Sequence, residues 1–400
     1  MFKKVQDRKI VLFLGAGFSS SAGLPLMREF GEHARIENFN LLKHAQAERS
    51  SLDYRYAAPM LVDSAFVFKN LQDLCKRSNT LSEDDINNLE TIFCFAEILK
   101  ESGQRIINID GNRYSIDTVI KEIQLWLWKI YQQYPFINNK KKEAQANEPL
   151  YDKFFQIIEK SNTSDNITVI TTNYNLIFEF KAFDNDMFCS YCIKYSRIIN
   201  AGHGFEEYAA VDYSQKKKGP IICKLHGSVN FFQDHSQDHP IDDRGYLYIA
   251  NDLGNNESIG KSGSFNKKPA IFAVDAIWNI QKKYGETFFP AIIPPTYSKL
   301  YHNNWLVEIW NNAFEALKNA SKIVFIGYSF PETDGFMRAL IHAAMAFRCN
   351  KEPPDVYVID DKVATHVRYQ GIFKSMYHEI DPQVFIDAIN NRTIEKIFNE

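Results

Sequence analysis

Five short apolar runs punctuate this chain of 400 residues: Ile10-Val11-Leu12-Phe13-Leu14, Ile167-Thr168-Val169-Ile170-Thr171, Ile221-Ile222-Cys223-Lys224-Leu225, Lys322-Ile323-Val324-Phe325-Ile326 and Val356-Tyr357-Val358-Ile359. Short, nearly continuous apolar runs rich in β-branched residues belong to strands covered on both faces. The stretches between them are long enough for crossover helices, so the pattern predicts an α/β fold with a Rossmann-like, mostly parallel sheet. One helix is expected over about 303–318, where Trp305, Leu306, Ile309, Trp310, Ala313, Phe314 and Leu317 recur with period 3.6. Another is expected after Asp334, a candidate N-cap, through Phe336, Met337, Leu340 and Ile341.

Between residues 27 and 165 the pattern changes, because no comparable strand run occurs and helical faces take over. Leu89, Ile92, Phe93, Phe95, Ala96 and Leu99 mark one such face, and Ile116, Val119, Ile120, Ile123, Trp126, Leu127 and Ile130 another. A largely helical insertion over 30–165 is therefore expected within one domain covering 1–400. The segment Asn138-Asn139-Lys140-Lys141-Lys142-Glu143 reads as a solvated loop between helices. Residues 235–270, rich in Asp, Gly, Asn, Ser and Lys, read as surface loops with little regular structure. Over 380–400 an amphipathic C-terminal helix is expected through Val384, Phe385, Ala388, Ile389 and Ile394, either closing the core or making an oligomer contact.

Composition narrows the function classes. Hydrophobic residues at 45% and charged residues at 24% are those of a globular chain with a large core. A net charge of −3 gives no global reason to expect nucleic acid or a membrane surface as a partner. Six cysteines are too sparse for a disulfide scaffold and fit a reducing, cytoplasmic compartment. Lys3, Lys4, Arg8 and Lys9 ahead of an apolar run imitate a secretory signal, but that run is shorter than the roughly 7–15 residues of such a segment. No apolar stretch approaches the ~20 residues that span a bilayer.

The residues with chemical potential follow the C-terminal ends of the expected strands, where open α/β sheets bind ligands. They are Gly15-Ala16-Gly17, Thr172-Asn173-Tyr174-Asn175, His226-Gly227-Ser228, Gly327-Tyr328-Ser329 and Asp360-Asp361. A strand breaking into Gly-x-Gly can bring backbone N–H groups against a phosphate. The third glycine, Gly23, falls six residues after Gly17, not the three of the dinucleotide fingerprint, so hydride chemistry is not indicated. Each element also has an ordinary reading: the glycines as a tight turn, Asn173 as a helix cap, His226 as a satisfied interior histidine, Gly327-Tyr328-Ser329 as close chain packing and Asp360 as a cap. Together they complement one another, with turn glycines for phosphates, an acid for ribose hydroxyls, and Asn plus His for a reaction at a sugar carbon.

That combination resembles the sirtuin-like NAD-binding family, in particular its bacterial branch that hydrolyses NAD during antiphage defence. The resemblance rests on Gly15-Ala16-Gly17-Phe18-Ser19 with Ala22-Gly23-Leu24-Pro25, on Thr171-Thr172-Asn173-Tyr174-Asn175, on Lys224-Leu225-His226-Gly227-Ser228, and on Gly327-Tyr328-Ser329-Phe330-Pro331 with Asp334. It implies Asn173 and His226 as the catalytic pair, and Gly15, Ala16, Gly17, Ser19, Asn175, Gly327, Ser329 and Asp360 as the NAD site. It implies NAD as substrate, cleaved to nicotinamide and ADP-ribose in an abortive response to infection. A homo-oligomer and an operon-encoded partner, a HerA-like ATPase or a short Argonaute, are implied with it.

Two departures from the family pattern mark this chain. The motif containing Asn173 usually ends in Asp where Asn175 stands, and the Asp-Phe-Arg of protein-deacylating sirtuins is replaced by Leu26-Met27-Arg28. Those deacylases also hold a structural zinc with two Cys-x-x-Cys pairs, the four thiolates of a closed tetrahedral site. Here Cys189-Ser190-Tyr191-Cys192 is the single pair, so no zinc is expected. Two further readings remain: a deacylase or ADP-ribosyltransferase, and a non-catalytic subunit that senses NAD or ADP-ribose in a larger assembly.

Overall fold

The computed structural model describes residues 9–26, 29, 71–77, 82–109, 112–131, 142–161, 166–187, 189–191, 193, 196–200, 206–208, 219–234, 247–252, 268–269, 288–293, 304–331, 334–348 and 352–399. Its principal elements in chain order are β1 (Ile10–Leu14), α1 (Ala16–Ser20), α2 (Leu89–Glu101), α3 (Ile116–Tyr131), α4 (Lys142–Lys160), β2 (Ile167–Thr171) and α5 (Ile177–Asp184). There follow β3 (Ile221–Lys224), α6 (Asn304–Asn319), β4 (Lys322–Ile326), α7 (Gly335–Ala346), β5 (Asp355–Ile359), α8 (Val363–Phe373), α9 (Phe385–Asn390) and α10 (Thr393–Asn399).

The five strands form one sheet in the order β5-β4-β1-β2-β3, every pair parallel. This is a Rossmann-like order, with the connections diverging on either side of β1 and opening a crevice there. Side chains alternate across it. Ile10, Leu12 and Leu14 face a core shared with α2, α3, α4, α9 and α10, while Val11 and Phe13 face α6, α7 and α8. The expected apolar runs are thus buried on both faces because helices cover both.

Register decides where the chemistry lies. Leu14, Thr171, Lys224, Ile326 and Ile359 stand in one row across the sheet, so Gly15, Thr172, Leu225, Gly327 and Asp360 all leave it along the same edge.

Between α1 and β2 the described residues form α2, α3 and α4, with a hairpin of Ile106–Ile109 and Asn112–Ser115 between α2 and α3. Of the segment expected as a loop at 138–143, residues 138–141 lie outside the described residues, and α4 begins at Lys142. A second sheet runs Phe288–Ile292, Gly227–Asp234, Leu247–Asp252, Ser196–Asn200, Glu206–Tyr208, and Lys268–Pro269 pairs with Leu247–Asp252. The loop expectation for 235–270 therefore gives way at 247–252, where Leu247 and Ile249 are buried in the core and Ile249 pairs with Phe231. The C-terminal helix is two helices, because Arg392 takes a positive φ of 63° between α9 and α10. No helix among the described residues is long and apolar enough to cross a membrane.

Candidate active site

The turn from β1 into α1 and the turn after β4 pack backbone against backbone. Gly15 N donates to Ile326 O at 3.0 Å and Gly17 N to Gly327 O at 2.9 Å. A Cβ on Gly15 would stand 2.5 Å from Gly327 O, and one on Gly327, whose φ is +61°, would stand 2.4 Å from Phe18 N. The glycines are therefore needed for the close approach of two strand-end turns. Both N–H groups are spent on that contact, which the phosphate reading of the motif did not anticipate.

Beyond β2 the loop is shaped by its own side chains. Thr171 Oγ1 donates to Leu14 O at 2.9 Å and accepts from Asn173 N at 3.0 Å. Asn173 Nδ2 then donates to Gly15 O at 2.8 Å and to Ser19 Oγ at 3.2 Å. Asn175 Nδ2 donates to the same hydroxyl at 3.0 Å, while its Oδ1 accepts from Ile177 N at the start of α5. Ser19 thus gathers both asparagines against the first turn of α1.

His226 lies at the joint between the two sheets. Leu225 N donates to Thr171 O at 3.0 Å, His226 O accepts from Ile293 N at 2.8 Å, and a strand of the second sheet starts at Gly227. The bend needs glycine, since φ is +76° and a Cβ would meet Ala291 O at 1.9 Å. His226 is only 3% exposed, and its ring centroid lies 6.1 Å from that of Tyr174.

After β4, Tyr328 donates its hydroxyl to Asp334 Oδ2 at 2.7 Å, and Asp334 Oδ1 caps α7 by accepting from Met337 N. Arg368 of α8 donates to the carbonyls of Ser329 and Phe330, the latter residue at a positive φ of 52°. After β5, the buried Asp360 accepts from Lys362 N at 3.0 Å.

These turns enclose a cavity of about 350 Å³. Ala16, Gly17, Ser19, Asn173, Asn175, His226, Gly327, Ser329 and Asp360 line it; Gly15 stands behind the wall and holds Asn173. Asn88 and Glu90 at the start of α2 and Tyr131 at the end of α3 reach the same cavity, and none of the three is among the residues expected there from the sequence. Asn88 caps α2 by accepting from Glu90 N, a start signal visible in the sequence. Phe385 of α9 also lines the cavity.

Among the described residues the wall is acidic, with Glu90, Asp334, Asp360 and Asp361 beside one lysine, Lys362. Burial, reinforced by the Glu90 charge, pushes the hydroxyl pKa of Tyr131 and Tyr174 upward, and Tyr328 is raised by burial, then chiefly by Asp334. Asp360 is buried, Glu90 and Asp334 are half-buried and Asp361 is exposed, so a cation at this wall would meet negative charge. Cys189 is a free thiol pushed up by burial, and Cys192 lies outside the described residues. Among the described residues no group of three or more His, Cys, Asp or Glu is placed to hold a metal ion.

No family model and no curated protein matches this chain. Among solved structures it is similar to Sir2Tm bound to a propionylated peptide, at 11% identity and a TM-score of 0.36, over 98% of this chain and 94% of that one. It is also similar to a Sir2–p53 peptide–NAD+ structure, at 10% identity and a TM-score of 0.36, over 97% and 93%. A Sir2 homologue bound to ADP-ribose stands at 10% identity and a TM-score of 0.37, over 97% and 92%. The similar folds are Sir2 proteins. At 10–11% identity the residue roles have to come from this chain's own site.

Proposed function

We propose that this protein is a sirtuin-like NAD+ glycohydrolase, cleaving the bond between nicotinamide and ribose to give nicotinamide and ADP-ribose. The observation that carries the reading is one cavity at the strand ends on which Asn173, His226 and Asp360 all border. A few hundred cubic ångströms between the turns of an open α/β sheet suits a nucleotide. Asp360 would accept from ribose hydroxyls, and the turns bearing Gly17 and Ser329 would flank the diphosphate.

In the reaction, water adds to the ribose carbon as nicotinamide leaves with the bonding electron pair, and one proton is released. Nicotinamide departs neutral, so no acid is needed to protonate it. Asn173, fastened by Gly15 and Ser19, would orient the ribose and the attacking water. His226 would receive the proton; an imidazole with ordinary pKa near 6.5 suits a general base at neutral pH and contributes about 10²- to 10⁴-fold. Glu90 would stabilise the positive charge that grows on the ribose carbon.

In the cell this activity would deplete NAD during infection, so it would be held in check through a homo-oligomer or a partner such as a HerA-like ATPase or short Argonaute. The test is a product analysis of the purified chain with NAD, with and without an acylated peptide. Stoichiometric nicotinamide and ADP-ribose with no effect of peptide is the expected result. Acyl-ADP-ribose formed only with peptide would establish a deacylase, and binding of NAD without turnover in any combination a sensor.

A further inference from the structure

One lysine lies directly behind the two residues assigned to the chemistry. Lys224 ends β3, two residues before His226, and its side chain is 1% exposed. Its ammonium meets Glu179 Oε1 of α5 at 2.9 Å, Asn173 O at 3.3 Å and Asn175 O in a short contact. Three N–H donors thus meet three acceptors. Glu179 is itself buried, at 3% exposed, and accepts from Tyr191 OH at 3.2 Å, which in turn accepts from Asn230 Nδ2.

Stability is a poor explanation for this arrangement. Burying an ion pair costs desolvation that its attraction repays only in part, and apolar replacements of such pairs are often neutral or stabilising. What the pair does locally is specific. The loop between β2 and α5 has no regular structure, so the carbonyls of Asn173 and Asn175 find no ladder partners, and Lys224 supplies both.

We infer that Lys224, held by Glu179, is a positioning residue that sets Asn173 against His226 by tying the β2 loop to the end of β3. The inference rests on the NAD+ hydrolysis proposed above. Only the ammonium can serve three acceptors, since a neutral amine has two N–H groups. Among the described residues the groups facing it are Glu179 on α5 and Cys189, with Tyr191 on the far side of Glu179. Burial lowers the Lys224 pKa and Glu179 lifts it back, so removing the Glu179 charge weakens the hold of the last proton.

The experiment measures nicotinamide release from NAD by the full chain across about pH 6 to 9, for wild type, Glu179→Gln, Asn173→Ala, and Glu179→Gln/Lys224→Met in both backgrounds. Glu179→Gln is expected to move the alkaline limb of kcat down by roughly one pH unit or more while leaving the ADP-ribose Kd within about twofold. Neutralising the pair is expected to cost about 100-fold in kcat in the wild-type background and nothing further beside Asn173→Ala. An unmoved alkaline limb in the isosteric Glu179→Gln variant overturns the inference, and so does an additive loss beside Asn173→Ala. Equal release by wild type and Asn173→Ala overturns the hydrolysis reading instead, so the two failures are distinguishable.

Discussion

Asn173 donates its side-chain amide to the carbonyl of Gly15 at 2.8 Å, joining the end of β2 to the end of β1. Gly15 in turn donates its N–H to Ile326 O, and a Cβ there would collide with Gly327 O at 2.5 Å. The residue assigned to ribose orientation therefore depends on a glycine that does not line the cavity.

Gly15→Ala is expected to unseat Asn173 as well as the β4 turn. Backbone stands on the far side of the collision, so it has no flexible side chain to give way. A destabilisation of about 1–3 kcal/mol is expected from urea unfolding, together with loss of nicotinamide release. Alanine at Gly103, with no atom within 4 Å, is the control; its φ of +83° costs stability but leaves the site intact.

Glu90→Gln isolates the carboxylate that the start of α2 brings to the cavity. If positive charge develops on the ribose carbon, the neutral amide should lower kcat on the order of tenfold. KM for NAD should change far less, because the charge appears only on the way to the transition state.

Arg348 offers a stability change remote from the cavity. Its guanidinium donates to the carbonyls of Leu317, Lys318 and Ala320 at the end of α6 and to Glu352 O. Arg348→Ala leaves those carbonyls short of donors and should cost about 2–4 kcal/mol. A lower urea midpoint with unchanged kcat at ambient temperature is the expected outcome.

The pH dependence of stability follows from the buried phenols. Tyr131, Tyr151, Tyr174, Tyr191, Tyr328 and Tyr369 all have pKa values raised in the fold, in each case first by burial. Above the ordinary tyrosine value near 10, the unfolded chain loses protons that the native chain keeps, so stability is full below that pH and falls as pH rises past it. Lys224 and Arg348 work with the opposite sign, their pKa values being lowered by burial. Urea unfolding at a series of pH values should show a steep decline above about pH 10.

Much of this architecture was legible because burial on both faces leaves a plain mark. The runs at 10–14, 167–171 and 322–326 coincide with β1, β2 and β4, and α3 spans the run marked by Ile116 through Ile130. The strand-end motifs could be placed near one another because open α/β sheets put them there. Register, a property of pairing between distant segments, then brought Gly15, Gly327 and Asp360 to one edge. The strand at Leu247–Asp252 was hidden among loop-forming residues, because its burial comes from partners such as Phe231. Glu90 and Tyr131 carry no local sign of chemistry. Their helices were readable, but which end meets the cavity depends on how α2 and α3 pack against the sheet. Lys224 is a polar residue in an apolar strand, and its three acceptors give it a place in the loop that the sequence does not show.

The most direct measurement is nicotinamide released from NAD by wild type, Asn173→Ala and His226→Ala, each first shown to melt within a few degrees of wild type. Wild-type release, with each variant reduced by about 10² or more, is the predicted result. Equal release by all three proteins would contradict the assignment of Asn173 and His226 to the reaction.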